Sequence, residues 1–169
     1  EDILLDLADS QTPQGIIAVV QKEEVGQADF SQGKFLFLED VQDPGNVGTI
    51  IRTADAAGFT GVIVSDKSAD IYSLKTLRSM QGSHFHLPIY RMSSQRLLEG
   101  AKEAGVPVLA TTLSKDSVDY RELPSIENFV LVMGNEGQGI SPLMVESADQ
   151  LVHISMKGQA ESLNVAVAA

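Results

Sequence analysis

KFLFLEDVQDPGNVGTIIRTADAAGFTGVIVS, residues 34–65, is the stretch that decides the fold. Phe35 to Leu38 is a short apolar run and reads as a buried strand. Asp43-Pro44-Gly45 is a turn, with Pro preset for its second position and Gly for its third. Asn46 is then expected to cap a helix. Val47, Ile50, Ile51, Ala54 and Ala57 follow at the spacing of one apolar helical stripe. Gly58 stops that helix as a residue with positive φ would. Gly61 to Ser65 is the next strand. A strand, a helix and a second strand at this spacing form the repeating unit of a parallel sheet.

The unit repeats toward the C-terminus. Helices are predicted over Ser73 to Met80, Ser94 to Ala104 and Ser141 to Ser147, with a last one starting near Leu163. Strands are predicted at Leu87 to Tyr90, Pro107 to Thr111, Phe129 to Met133 and Leu151 to Ile154. The expected fold class is α/β, a mostly parallel sheet with helices on both faces. Ligands of such sheets sit beyond the carboxyl ends of the strands. The loops after Leu38, Met133 and Ile154 leave from such ends. Toward the N-terminus, Glu1 to about Val20 reads as a short helix, a turn at Gln11-Thr12-Pro13-Gln14-Gly15 and a strand from Ile16 to Val20. Residues 21–33 are polar and read as a linker.

Composition sets the outer limits. A chain of 169 residues with 43% hydrophobic residues builds one compact domain and a short appendage. The absence of Cys excludes a disulfide scaffold, a thiolate metal site and a Cys nucleophile, and fits a reducing compartment. No apolar run is long enough to cross a bilayer, and the acidic first residues show no signal-peptide pattern. A cytoplasmic protein is expected. The formal net charge of −11 argues against nucleic acid, because backbone binding depends on Lys and Arg neutralising phosphates. That objection lifts if a local positive patch sits on the acidic body, or if a basic part lies outside this chain.

Three segments could carry chemistry. In Glu39 to Thr53, turn chemistry alone accounts for Pro44, Gly45 and Asn46, and Arg52, off the apolar stripe, could simply pair with Asp55. In Met133 to Ser141, Gly134, Gly137 and Gly139 let backbone approach a ligand closely, or make a tight turn. Glu136 is unusual among them. The segment is neither G-x-G-x-x-G nor a P-loop. In Ile154 to Val165, Ser162 and Asn164 read as helix caps, while Met156 and Gly158 suggest a loop shaped around something. His84 and His86 could share one side of a strand, but no third ligand accompanies them, and no metal is expected. No G-x-S-x-G is present, which leaves a serine hydrolase without support.

These three segments, in this order, resemble the three motifs of the SpoU/TrmH family of SPOUT methyltransferases. The first is matched by Asp43-Pro44-Gly45-Asn46-Val47-Gly48 and Ile51-Arg52-Thr53-Ala54, the second by Gly134-Asn135-Glu136-Gly137 with Gly139, the third by Ser162-Leu163-Asn164-Val165. Leu7 to Gly15 is similar to the tail of a ribosomal-protein-like RNA-binding domain that precedes many members. The resemblance implies residues 1–20 as that tail, 21–33 as linker and 34–169 as the methyltransferase domain, truncated at its C-terminus. It implies a C-terminal trefoil knot, S-adenosylmethionine as cofactor, homodimers and RNA as substrate. Ribosomal RNA is expected before transfer RNA. Gly134, Ile154 and Leu163 would hold the cofactor, with Thr111 near its adenosine. Arg52, Asn46, Glu136, Ser162 and Asn164 would carry catalysis on a ribose 2′-hydroxyl. Ser155 and Ala166 depart from the Pro and Ser common at their positions, which bears on loop rigidity more than on chemistry. A module that binds cofactor and RNA without methylating is the alternative, opposed by the intact Asn46, Arg52, Glu136 and Ser162. A Rossmann-like dehydrogenase is disfavoured by the missing fingerprint.

Overall fold

The structure is a computed structural model that describes residues 15–22 and 25–169. Seven strands lie in one sheet: β1 (Lys34–Leu38), β2 (Gly61–Val64), β3 (Ile89–Arg91), β4 (Val108–Thr111), β5 (Val118–Asp119), β6 (Phe129–Met133) and β7 (Gln150–His153). Their order across the sheet is β3-β2-β1-β6-β4-β7-β5, and every neighbouring pair is parallel. The helices are α1 (Pro44–Ala56), α2 (Leu74–Met80), α3 (Ser94–Ala104), α4 (Pro142–Ser147) and α5 (Val165–Ala168).

Both faces of the sheet are covered, which explains why β1 is apolar throughout rather than alternating. Successive side chains point to opposite faces. Leu36 and Leu38 therefore pack with Val47, Ile50 and Ile51 of α1, while Phe35 and Phe37 pack with Leu97 and Ala101 of α3 and Met144 of α4. Strand β6 inserts between β1 and β4, with Leu38 opposite Met133 and Ala110 opposite Val132. This puts the ends of β1, β4 and β6 side by side, where the order of strands reverses direction. The expected α/β class and its parallel sheet are observed.

Several local expectations are corrected. Residues 16–22 lie outside any helix or strand, and Val19 is 99% exposed, so the strand expected at Ile16 to Val20 is not formed. An isolated apolar stretch with no sheet edge to pair with gains nothing from extension. The helix expected in the first residues falls outside the described residues. Strand β5 and the 3-10 turns Ser83–Phe85 and Tyr120–Glu122 went unpredicted. Both turns, and β5 with its two residues, are too short for a periodic signal. His84 and His86 consequently lie on and just after a turn, not on a strand. His86 Nδ1 sits 3.3 Å from an Asp55 carboxylate oxygen.

Candidate active site

The site begins at the turn into α1. Asp43, not Asn46, is the N-cap: its carboxylate accepts from the Asn46 backbone N–H at 2.9 Å. Pro44 then occupies the first helical turn, where its missing N–H is no loss. The expected Asn46 cap fails because Pro44 and Gly45 are already helical, so Asn46 lies inside the first turn. Its side chain is thereby released from capping. Asn46 Nδ2 donates to Glu136 at 3.1 Å, and Asn46 Oδ1 accepts from Asn164 Nδ2 at 3.1 Å. One residue from each of the three segments thus joins one hydrogen-bonded chain, Asn164 to Asn46 to Glu136.

Glu136 is presented by a braced loop. Asn135 and Gly139 exchange two backbone hydrogen bonds of 3.0 and 2.9 Å, which close the loop on itself. Asn135 Oδ1 accepts from the backbone N–H groups of Gly137 and Gln138, and its Nδ2 donates to the Asp40 carbonyl at 2.8 Å. Gly134 is required at the loop entrance, because a Cβ there would lie 2.4 Å from the Gly139 carbonyl carbon and 2.5 Å from the Ile140 nitrogen. At the loop exit the buried Glu39 carboxylate accepts from Ser141 N, Ser141 Oγ and Ser94 Oγ at 2.7, 2.8 and 2.6 Å. Glu136 itself also accepts from the backbone N–H groups of Gln42 and Asp43. Burial pushes the Glu136 carboxyl up, but the Asn46 side chain and these backbone donors together outweigh it and hold the group below its ordinary range. It is ionised at neutral pH.

A cleft of about 750 Å³ opens beside this loop. The ends of β4, β6 and β7 form its floor, through Thr111, Met133, Gly134 and Ile154. Leu163, Ser162 and the start of α5 form its wall. Among the described residues, no hydrogen bond uses the backbone N–H or C=O of Ile154, Met156 or Leu163. Backbone groups left unpaired beside a cleft need water or a ligand. A ligand with a flat heteroaromatic ring and a small polar tail fits this lining of apolar side chains and free backbone groups. The cofactor implied by the motifs has that chemistry.

Comparisons with known proteins identify the family. The model of the SpoU rRNA Methylase family matches residues 33–169. The chain belongs to the SpoU rRNA methylase family. It is 45% identical over 169 residues to the 23S rRNA (guanosine(2553)-2′-O)-methyltransferase RlmP of Bacillus subtilis, covering 100% of this chain and 67% of that one. An AdoMet-bound rRNA methyltransferase from Sinorhizobium meliloti superimposes with a TM-score of 0.76 at 43% identity, over 80% of this chain and 52% of that one. A solved RNA 2′-O ribose methyltransferase gives a TM-score of 0.77 at 29% identity, over 99% of this chain and 65% of that one. The chain therefore spans about half to two thirds of these relatives.

Within this SpoU domain the structure gathers some of the sequence-derived site residues and leaves others apart. Asn46, Glu136 and Asn164 meet through hydrogen bonds, and Asn164 Oδ1 also caps α5 by accepting from the Ala166 N–H. Gly134, Ile154, Leu163, Thr111 and Ser162 all line the cleft. The Thr111 hydroxyl donates to the Val132 carbonyl at 2.8 Å and ties β4 to β6. Ser162 is exposed and makes no hydrogen bond among the described residues. Arg52 is exposed on α1, and its side chain takes part in no ion pair or hydrogen bond among the described residues. The pairing considered for it with Asp55 is not made; Asp55 faces His86 instead. Sequence reasoning missed three residues: Asn135, Glu39 and Asp40. An Asn beside glycines is a recognised signal for side-chain capping of a turn. No sequence pattern marks Asp40 for its left-handed φ of 57° or Glu39 for burial.

Proposed function

We propose that this chain is the catalytic domain of an S-adenosylmethionine-dependent RNA ribose 2′-O-methyltransferase that acts on ribosomal RNA in the cytoplasm. The observation that carries the reading is the Asn164–Asn46–Glu136 chain at the mouth of the cleft: residues 118 and 90 positions apart in sequence meet where a substrate would enter. Gly134, Ile154, Leu163 and Thr111 would hold the cofactor, whose sulfonium supplies an electrophilic methyl group. The trefoil knot belongs to the same proposal. It is supported by β6 lying between β1 and β4 and by the return of α5 to pack on α1 after strand β7, which lies between β4 and β5. Residues 1–20 as the tail of an RNA-binding domain, 21–33 as a linker and a homodimer complete it.

The bound cofactor would supply the methyl group to the ribose 2′-oxygen, whose proton would leave to solvent, and this chain's residues would hold that oxygen in line with it. Displacement is in line, so alignment supplies much of the rate. Asn46 and the ionised Glu136 would orient the ribose, Ser162 would add a hydroxyl contact, and Asn164 would brace Asn46. Arg52 would stabilise negative charge developing on the 2′-oxygen or on an adjacent phosphate. A guanidinium stays protonated in proteins, so it acts as an electrostatic partner and not as a base. The test is calorimetry with S-adenosylmethionine, followed by transfer of labelled methyl to ribosomal and transfer RNA with mass-spectrometric mapping of ribose methylation. Saturable binding and label on ribosomal RNA ribose are expected. No heat at millimolar cofactor refutes the cofactor site, and label on transfer RNA alone moves the substrate.

A further inference from the structure

The cleft has two unlike ends. At one, the glycine loop presents Glu136, the carboxylate among the described lining residues, which include no Lys or Arg. At the other, Thr111, Thr112, Leu113, Tyr120, Val152 and His153 line the ends of β4, β5 and β7. Strand β6, which leads to Glu136, and β5, which leads to Tyr120, are separated in the sheet by β4 and β7. Two large apolar side chains stay open to solvent at this far end, Leu113 at 66% and Tyr120 at 54% exposure. Apolar surface left uncovered inside a cleft marks a place for a ligand.

Tyr120 is held there by its neighbours. The Asp119 carboxylate accepts from the Arg121 backbone N–H at 3.0 Å and from Arg121 Nε and Nη2 at 2.7 Å each, so a two-pronged ion pair closes around the residue between them. Asp119 stands opposite His153 in the pairing of β5 with β7. The Ser117 hydroxyl donates to the Ser114 carbonyl at 2.6 Å and so accepts from His153 Nδ1, 2.9 Å away. Thr112 N–H donates to the Val152 carbonyl at 2.9 Å and fixes the chain just before Leu113. The polar groups of this edge are thus paired with one another, and the Tyr120 ring is what the edge presents to the cleft. An aromatic side chain anchored in advance loses little freedom when a ligand settles on it.

We infer that Tyr120 is the platform on which the adenine ring of S-adenosylmethionine stacks, with Leu113 as an apolar contact beside it. This rests on the methyltransferase reading and adds a binding residue to it. The orientation follows from charge. The positive sulfonium that carries the methyl group suits the ionised Glu136, and at that end it meets a ribose held by Asn46. The flat, uncharged ring then falls toward the ends of β4, β7 and β5. The amino-acid tail, with a carboxylate and an ammonium of its own, finds no Asp, Glu, Lys or Arg among the lining residues at the Tyr120 end. A purine ring finds there the face of an aromatic side chain, on which any base stacks.

The experiment is calorimetry of wild type, Tyr120→Ala, Tyr120→Leu and Tyr120→Phe with two ligands: S-adenosylmethionine, and 5′-methylthioadenosine, which keeps the nucleoside and lacks the amino-acid tail. Tyr120→Ala should weaken both ligands by the same factor, about tenfold to a hundredfold, the weight of one base stacked on an aromatic side chain. Tyr120→Leu keeps apolar area without a flat face and should lose nearly as much. Tyr120→Phe keeps the face and should bind both ligands like wild type. Melting temperatures of the unliganded proteins should match, because the ring is exposed. In methyl transfer to ribosomal RNA the Tyr120→Ala loss should appear in the KM for cofactor and spare kcat, as for binding made equally in ground and transition states. Wild-type affinity in Tyr120→Ala overturns the inference. So does a loss confined to S-adenosylmethionine, which would place the tail at Tyr120, and so does full affinity in Tyr120→Leu, which would leave a plain apolar contact. In each of these outcomes wild type still binds cofactor and the methyltransferase reading stands. Wild type that binds neither ligand refutes both.

Discussion

The loop at 134–139 and the loop at 154–163 flank the same cleft and are built in opposite ways. The first is fixed by a two-bond backbone closure, by the Asn135 side chain reaching three backbone groups, and by the buried Glu39 carboxylate at its exit. The second is mostly exposed, and between Met156 and Leu163 no hydrogen bond holds it among the described residues. One wall of the cleft is organised before any ligand arrives. The other keeps its backbone groups free, and fixing it on a ligand would cost about 1 to 2 kcal/mol of conformational entropy for each residue ordered. The same contrast separates Asn46 and Glu136, held in a network, from Arg52, which stands alone on α1.

The sharpest way to break the first half of that comparison is Gly134→Ala. The added methyl must displace the Gly139–Ile140 backbone, not a flexible side chain. We expect a stability loss of about 3 kcal/mol or more, since overpacking against backbone finds no rotamer to yield. Cofactor affinity should fall at least a hundredfold. Thermal melting and calorimetry measure both. A protein that melts like wild type and binds cofactor normally would show that the loop is not the rigid wall described.

Arg52→Ala tests the contrast between network and isolation. An exposed side chain without a partner leaves stability within about 0.5 kcal/mol of wild type. If Arg52 stabilises charge on the reacting oxygen, single-turnover methylation falls roughly a hundredfold or more, which is about 2.7 kcal/mol of transition-state stabilisation. Cofactor affinity stays put, because Arg52 does not line the cleft. Arg52→Lys also performs poorly, since a point charge does not reproduce the planar fork. Full activity in a well-folded Arg52→Ala protein returns the residue to a plain surface role.

The sheet was legible in the sequence wherever a strand is buried on both faces. Runs such as Phe35 to Leu38 and Phe129 to Met133 have no competing reading once glycine turns bound them. What escaped was short or conditional on distant partners. Val118–Asp119 has two residues and exists because β7 offers an edge to pair with. The site was legible as three motifs, but its wiring was not. Asn46 looked like a cap because nothing local distinguishes it from Asp43; only the helical geometry of Pro44 and Gly45 decides which one caps. Nothing local marks Glu39 for burial, which depends on Ser94 and Ser141, the latter 102 positions away.

The smallest effect completes the comparison by making the same substitution in the other loop. Gly158 has a φ outside the left-handed region, and a Cβ built on it meets nothing within 4 Å. Alanine is therefore compatible with its conformation. It narrows the unfolded chain's freedom at one residue, which stabilises by about 0.4 to 1 kcal/mol where the native backbone accepts it. In a loop that is only loosely held, the folded chain loses similar freedom, so the net change in stability should be within about 0.5 kcal/mol. Binding is different if the loop is ordered by the cofactor proposed for the cleft. A stiffer loop has less freedom to surrender, and Gly158→Ala should leave cofactor affinity unchanged or improve it by no more than about threefold. Calorimetry and melting on the same preparation read both quantities beside Gly134→Ala. A Gly158→Ala loss of affinity approaching that of Gly134→Ala would mean that the 154–163 loop is as tightly built in the working protein as the glycine loop, and the division of the cleft into a fixed wall and an adaptable one would fall.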